Sequence, residues 1–495
     1  MQAMEPGLVG YGMVVPLVGP LRIFQLSGRF ARRRRKNRES VLATDIGAGE
    51  VPDKAMTTDR GPADEAAYPS VLRASYAVFV LMLVTFTALL DRYLPSIALG
   101  PMKSDLGLSD TSISLVQGVA FSLFYCIAGV PLGRAVDRCN RRNLVVGAVL
   151  MWTLLTIWSG LATSFGELFV ARAGIGIAEA ILAPATYSII ADCFAPHMRG
   201  RAIGVYFSSL VIGSSASFIV GGALLAYLAQ TPIDFPVVGM LSPWRGAFVL
   251  LALLGIPAML AAMTMREPER REVQSSEDRA GLLQFLREKA GSMAMLYATF
   301  GILAFVSVIA VSWAPTLYNR SLNVPLSQSA MMVGVAILIG GVAGALLSGW
   351  FSDRFVRQPG AGRFRVQMIS ALVSTPLVAL WPLMPTVALS YPLLILATVS
   401  ITFGMSNIAA TLQDIAPNQL RGQLIAINYI VLMLTSGLTP TAVALVTDSI
   451  FADSGALPWS MALVGGIFSA ICYAMALMTA KRYAAMRIAV PSAPA

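Results

Sequence analysis

Leu89-Leu90-Asp91-Arg92-Tyr93-Leu94 sets an acid and a base side by side late in an otherwise apolar run, residues 74–99. A run of that length can cross a bilayer, which takes roughly 20 apolar residues. A charge inside it costs about 2.5–3.5 kcal/mol on insertion scales, so an ionisable residue there is by default a functional candidate. Adjacent helical residues point about 100° apart. Asp91 and Arg92 therefore cannot pair along one helix face, and each needs a partner on another helix. The plainer alternative is mutual neutralisation, or snorkelling of the arginine to the interface.

The whole chain repeats this setting. Its 495 residues are 56% hydrophobic and 13% charged, with mean hydropathy +0.70, where a soluble protein carries about 25% charged residues. Long uncharged runs favour helices over a β-barrel. Cys126 and Cys472 lie in apolar runs, Cys139 in a basic loop and Cys193 at a helix end. This spacing suggests neither a disulfide framework nor a metal site. The single histidine, His197, falls in a short loop and is expected to be solvated.

Residues 1–72 read as a disordered basic tail. Its apolar stretch precedes the run Arg32-Arg33-Arg34-Arg35-Lys36, the reverse of the order in a signal peptide. Such a tail suits anionic headgroups, and initiation at Met56 is an alternative start. Twelve apolar runs follow. Six, at 74–99, 113–133, 144–163, 167–192, 202–228 and 244–264, make a first bundle over residues 73–265. Six more, at 291–317, 330–350, 366–386, 390–415, 423–447 and 458–480, make a second over 291–484. Residues 266–290 form a charged linker with a short amphipathic helix expected near Leu282 to Lys289, and residues 485–495 form a C-terminal tail.

Basic residues alternate between the two faces. One face collects Arg134, Arg138, Arg141, Arg142, Arg199, Arg201, the linker, Arg354, Arg357, Arg363, Arg365, Arg421 and both tails. The other holds Lys103, Arg245 and Arg320. By the positive-inside rule both termini are cytoplasmic, in a multi-pass cell membrane protein, which is the inner membrane if the source is bacterial. The net charge of +10 is then a topology signal, and no nucleic-acid partner is expected.

The halves echo each other. Gly133 to Arg138 recurs as Gly349 to Arg354, with Asp137 answered by Asp353. Asp192 with Arg199-Gly200 recurs, at nearly the same separation, as Asp414 with Arg421-Gly422. Parallel six-helix repeats imply a transporter with its site between them near the midplane. The expected fold is an all-α membrane protein of 12 transmembrane helices in two pseudo-symmetric six-helix bundles.

The loop Gly133-x-x-x-Asp137-Arg138-x-x-Arg141-Arg142-x-Leu144, with its degenerate copy, resembles the loop signature of the major facilitator superfamily, and the likeness covers nearly all the chain after residue 72. Within that superfamily, Asp91-Arg92 and Arg172-x-x-x-Gly176-x-x-Glu179-Ala180 are similar to the spinster branch. That resemblance implies the major facilitator fold and, from the branch's eukaryotic members, sphingolipid or lysolipid cargo. Physically, Gly133 permits close helix approach. Asp137 can accept from helix N-terminal amides, and Arg138, Arg141 and Arg142 can meet carboxylates or headgroups. With Asp353 and Arg354 these residues are the expected cytoplasmic gate, closed when the protein opens outward; a basic loop that only sets topology is the alternative. The fifth run carries Gly204, Gly213, Ser217-Phe218 and Gly221-Gly222, similar to the antiporter signature of the superfamily except that Gly-Pro stands there in place of Ser217-Phe218. Tight packing of a small-residue stripe explains it equally well.

Arg172 and Glu179, seven residues apart, share a helix face about 10 Å apart in depth. The first and fourth runs are antiparallel in depth, so Asp91 can meet Arg172 and Arg92 can meet Glu179. These four are the expected substrate- and proton-binding residues, lining a wet cleft; a static structural network is the alternative. Burial disfavours an ionised carboxylate and a nearby guanidinium favours it, so exchanging the two on rocking would move a proton, the expected coupling ion. The second half has no comparable charges, and Trp313, Asn428 and Tyr429 are its candidate cavity-lining residues. One charged and one apolar wall suit an amphipathic anionic or zwitterionic, lysolipid-like substrate moved by alternating access. A drug/proton antiporter, a small organic-anion/proton symporter and a non-transporting membrane sensor are the alternatives. No nucleophile–base pair, metal cluster or phosphate loop points to an enzyme; no cofactor beyond the proton and no metal is expected, and a monomer is.

Overall fold

The computed structural model describes residues 68–231, 234–235, 239–271, 276–417 and 420–487. Twelve helices among them are long and apolar enough to cross a membrane. In the first half these are α1 (Val71–Leu106), α2 (Asp110–Arg138), α3 (Arg141–Leu161), α4 (Phe165–Cys193), α5 (His197–Gln230) and α6 (Pro243–Thr264). In the second they are α7 (Ala290–Leu322), α8 (Leu326–Val356), α9 (Gly362–Leu383), α10 (Val387–Gln413), α11 (Arg421–Phe451) and α12 (Ser454–Met486). Each coincides with one apolar run of the sequence. Most overshoot it, because an amphipathic turn at either end satisfies its backbone internally while its polar side chains reach water.

The expected boundaries shift accordingly. Val71 and Leu72, assigned to the tail from sequence, are already helical, as are Ala485 and Met486 at the other end. Residues 68–70 and 487 of the expected tails are described too, and residues 1–67 and 488–495 lie outside the described residues. In the linker a short helix, Ser276–Glu288, starts earlier than the expected one and leans Leu282, Phe285 and Leu286 on the second half's core. A two-residue hairpin, β1 (Asp234–Phe235) with β2 (Gly239–Met240), joins α5 to α6.

Local chemistry sets the ends and bends. Ser109, Asn140 and Ser164 accept from the amides three residues on at the starts of α2, α3 and α4, satisfying N–H groups that the helix leaves free. Gly107 ends α1 in the left-handed conformation, which costs glycine little. Pro95 and Pro101 in α1, Pro315 in α7 and Pro440 in α11 each remove a backbone donor inside a span. The fourth span is interrupted: one helical segment ends at Glu179 and the next begins at Leu182. The outer surface carries exposed apolar side chains such as Leu346, Trp350, Trp459 and Met478, as a lipid-facing surface requires.

Packing repeats with the sequence. In the first half α1 lies on α5, α2 on α4 and α3 on α6; in the second α7 lies on α11, α8 on α10 and α9 on α12. The halves meet chiefly along two seams, α2 with α11 and α5 with α8. At the first, Gly118 lies against the Gly437 carbonyl so closely that a Cβ there would overlap it. At the second, a Cβ on Gly334 would come within 2.8 Å of the Ser215 carbonyl oxygen. Gly334 answers Gly118 in the register that relates Gly349 to Gly133, and Gly437 answers Ser215 in the register that relates Asp414 to Asp192. One crossing is thus built twice from the repeat. Close backbone approach through small residues supplies the packing that lipid does not drive. The Gly213, Ser217, Gly221 stripe is also used for packing: Gly213 and Gly221 receive Leu89 and Ile97 of α1, and Ser217 bonds back to the Gly213 carbonyl.

Candidate functional site

Of the four membrane-embedded charges picked out from sequence, two come from α1 and two from α4, and the structure brings them together in crossed pairs. The Arg172 guanidinium donates to Asp91 Oδ2 at 3.1 Å, and its other nitrogen reaches the Arg92 carbonyl at 3.4 Å. Arg92 pairs with Glu179 and lies over the Phe121 ring, 4.5 Å from its centre. Asp91, Arg172 and Glu179 are essentially buried, whereas Arg92 keeps 22% of its side chain exposed. Each carboxylate has one oxygen without a hydrogen-bond partner among the described residues, Asp91 Oδ1 and Glu179 Oε1. The network is therefore tightly paired but not saturated.

A cavity of about 1330 Å³ lies between the halves. It reaches the arginine-rich end, where the exposed Arg134 and Asp137 form part of its rim. Its wall in the second half is apolar and deep, running past Ile309, Val333, Val378, Trp381, Leu394 and Ile401. Asn428 and Tyr429 line it, as the sequence suggests, together with Tyr125, Tyr187 and Tyr206 from the first half.

Two expectations fail here. Asp91, Arg92, Arg172 and Glu179 do not form the cavity wall. Asp91, Arg172 and Glu179 are buried and Arg92 is partly exposed, while Tyr125 and Ala180 of the neighbouring turns line the cavity instead. Trp313 does not line the cavity either: it is fully buried and donates from Nε1 to the Pro440 carbonyl at 3.2 Å.

The expected gate residues divide into three kinds. Gly133 and Asp137 lie at the cavity mouth. Arg138, Asp353 and Arg354 are exposed and form no ion pair among the described residues. Arg141 is not a mobile gate residue in this state. It is wholly buried inside the first half, paired with Asp192 and with Glu267 at 2.7 Å, and donating to Ser188 and to the Pro268 carbonyl. Arg142 contributes its backbone amide to Glu267. The second half rebuilds this anchor in the repeat's own register, with Arg363 in place of Arg141 donating to Asp414 at 2.7 Å. A second device also repeats: Arg270 in the linker donates to the carbonyls of Val136, Asp137 and Cys139 at the end of α2, and Arg487, just after α12, to the carbonyl of Val356 that ends α8 and to those of Gln358 and Gly360 beyond it. These arginines offset the carbonyl end of the helix they close.

What the sequence does not reveal is a lock at the arginine-poor end. Both oxygens of the buried Asp110 are taken, by Arg320 from the other half at 2.9 and 3.2 Å and by Lys103 at 2.7 Å. Beside it Asp448 accepts from the Thr111 amide at 2.8 Å and hydroxyl at 2.7 Å. Asp110–Arg320 is the ion pair that joins the two halves among the described residues. The signal was present, since Lys103 and Arg320 are two of the three basic residues of that face, but Asp110 reads as a loop acid until α2 is seen to begin on it.

Twelve apolar helices in two repeated halves, closed at one end around a cavity that opens at the other, define a polytopic transporter rather than an enzyme. The chain belongs to the Major Facilitator Superfamily, whose family model matches residues 81–440. It is similar to an MFS-type efflux pump of Mycolicibacterium smegmatis, 27% identical over 420 residues, covering 82% of this chain and 92% of that protein. It is also similar to human protein spinster homolog 1, 27% identical over 259 residues, covering 50% of this chain and 46% of that protein. The chain thus matches about half the length of that spinster relative. In fold it resembles a bacterial homolog of the human lysosomal transporter Spinster in an inward-facing, unoccupied conformation, with TM-score 0.74 and 22% identity over 86% of this chain and all of the other.

Proposed function

We propose that this protein is a proton-coupled secondary transporter working by alternating access, and that its cargo is an amphipathic anion or zwitterion of the lysolipid kind. The carrying observation is the cavity's two unlike walls: Arg92 and its pair stand behind the first half's face, while the second half offers a deep apolar recess. A head group suits the one and a hydrocarbon tail the other. The Lys/Arg asymmetry supports a cytoplasmic assignment for the arginine-rich end. On that assignment the described state is open inward and locked outward by Asp110–Arg320.

Protons are assigned to Glu179 and Asp91. Each meets one arginine and keeps one unpartnered oxygen. An anionic head that competes for Arg92 would release Glu179 from its pair and favour its protonation, linking cargo to proton. The test is uptake into proteoliposomes under an imposed pH gradient. Glu179→Gln and Asp91→Asn are expected to abolish gradient-driven accumulation while leaving exchange down a cargo gradient. Full proton-driven uptake in both variants would remove these acids from coupling.

One other reading has an observation behind it. The efflux-pump relative matches over almost its whole length, and the apolar recess would also take a drug. Arg92, the most exposed of the four charges, favours an anion over a cationic drug. Thermal stabilisation by lysolipids but not by cationic dyes separates the two, since a ligand stabilises by mass action the state it binds.

A further inference from the structure

We propose that Tyr125 and Tyr429 form an aromatic shutter across the two halves, and that it decides when the Arg92–Glu179 pair can be reached from the cavity. The inference deepens the proposed function by assigning how that pair is exposed. On α2 the cavity lining runs from Asp137 through Gly133 and Gly129 to Tyr125 and stops there. Phe121, the next turn, is off the wall and lies under Arg92. The ring of Tyr125 is 5.7 Å from Phe121 on one side and 6.1 Å from Tyr429 on the other. A file of three rings thus runs from Arg92 to the cavity, its outer two, Tyr125 and Tyr429, forming the wall there, and the last of them belongs to the other half.

Two further observations make this arrangement movable. Tyr125 and Tyr429 lie seven and eight residues from Gly118 and Gly437, the glycines that form the α2–α11 crossing. A change in that crossing therefore acts on the two rings through a lever of about 10 Å. Glu179 ends a helical segment, with the break at Ala180–Ile181 and Pro184 following. Ala180 is on the cavity wall while Glu179, one residue earlier, is buried. A small rotation at the break would bring the acid to the cavity once the rings part. The charged groups behind the shutter are Asp91 and Arg92 from α1 and Arg172 and Glu179 from α4, with Tyr93 beside them.

The test reads access directly. Arg92→Cys combined with Glu179→Gln, in a background without the four native cysteines, puts a thiol behind the shutter and leaves neither partner of the broken pair charged. Modification by a membrane-impermeant thiol reagent is expected to speed up at least about tenfold when Tyr429→Ala is added, and to stay at its original rate with Tyr429→Phe, because the ring does the screening. In otherwise unmodified proteoliposomes Tyr429→Ala should also admit protons without cargo, read by a trapped pH dye, whereas Tyr429→Phe should not. Tyr125→Leu provides a second opening if Tyr429→Ala fails to fold. Unchanged labelling in both open variants, or equal acceleration by Phe and Ala, overturns the shutter. Faster labelling in a protein whose wild type moves no protons with cargo leaves the shutter standing and overturns the coupling.

Discussion

Arg141 with Asp192 in the first half is answered by Arg363 with Asp414 in the second, and Arg270 by Arg487, but nothing in the second half answers Asp91, Arg92, Arg172 and Glu179. At the corresponding depth the second half offers an apolar recess. The repeated charges sit at helix ends, where they tie the spans of one half together. The unrepeated ones sit inside the membrane, where a charge is costly. The seams divide the same way. Gly118–Gly437 and Gly334–Ser215 are one crossing made twice, yet the Asp110–Arg320 lock stands beside the first alone. What the halves share builds the molecule, and what they do not share is assigned to its cycle.

Substitutions can break this division. The largest effect is expected from Arg172→Ala, which leaves Asp91 buried without its partner, a loss of about 3–5 kcal/mol of stability. Arg172→Met together with Asp91→Leu should recover most of that stability but no transport. Transport by the double variant would reassign the pair to structure. Next comes Arg363→Ala in a repeated pair. Its guanidinium is partly exposed, so the expected loss is about 1.5–3 kcal/mol, the range for a hydrogen bond to a charged group, with transport per folded molecule unchanged. A transport defect beyond the folding defect would erase the distinction between shared and unshared charges. The smallest effect belongs to Arg320→Ala. Losing the lock should shift the population toward the state open at the arginine-poor end by about tenfold, an energy near 1.4 kcal/mol. Spin labels at the exposed Ser104 and Ser321, one in each half at that end, would read the shift as a longer distance population, and an unchanged distribution would strip Asp110–Arg320 of its role.

Much of this was legible in the chain. Length and hydropathy locate twelve spans because a bilayer demands a fixed apolar length, and matched depth in α1 and α4 suffices to pair Asp91 with Arg172 and Arg92 with Glu179. Packing decided the rest. Depth along a helix says nothing about which side chain reaches the cavity, so Tyr125 forms the wall where the sequence places the charges. Arg141 belongs to a loop signature, yet it is buried, because the linker returns Glu267 and Pro268 to it. Trp313 looks like a ligand, yet it is fully buried and its indole N–H donates to the Pro440 carbonyl of α11. Asp110 and Arg320 stand far apart in the chain, in different halves, and only the fold brings them into contact.

The most direct test of the division between halves is calorimetric binding of single-chain phospholipids that vary separately in tail length and head charge. Val378→Phe, which fills the recess, should flatten the tail-length dependence, normally about 0.8 kcal/mol per buried methylene, and leave head preference intact. Arg92→Gln should erase the preference for an anionic head and leave the tail-length slope unchanged. If either variant altered both dependences alike, head and tail would not be read by different halves, and the account would be contradicted.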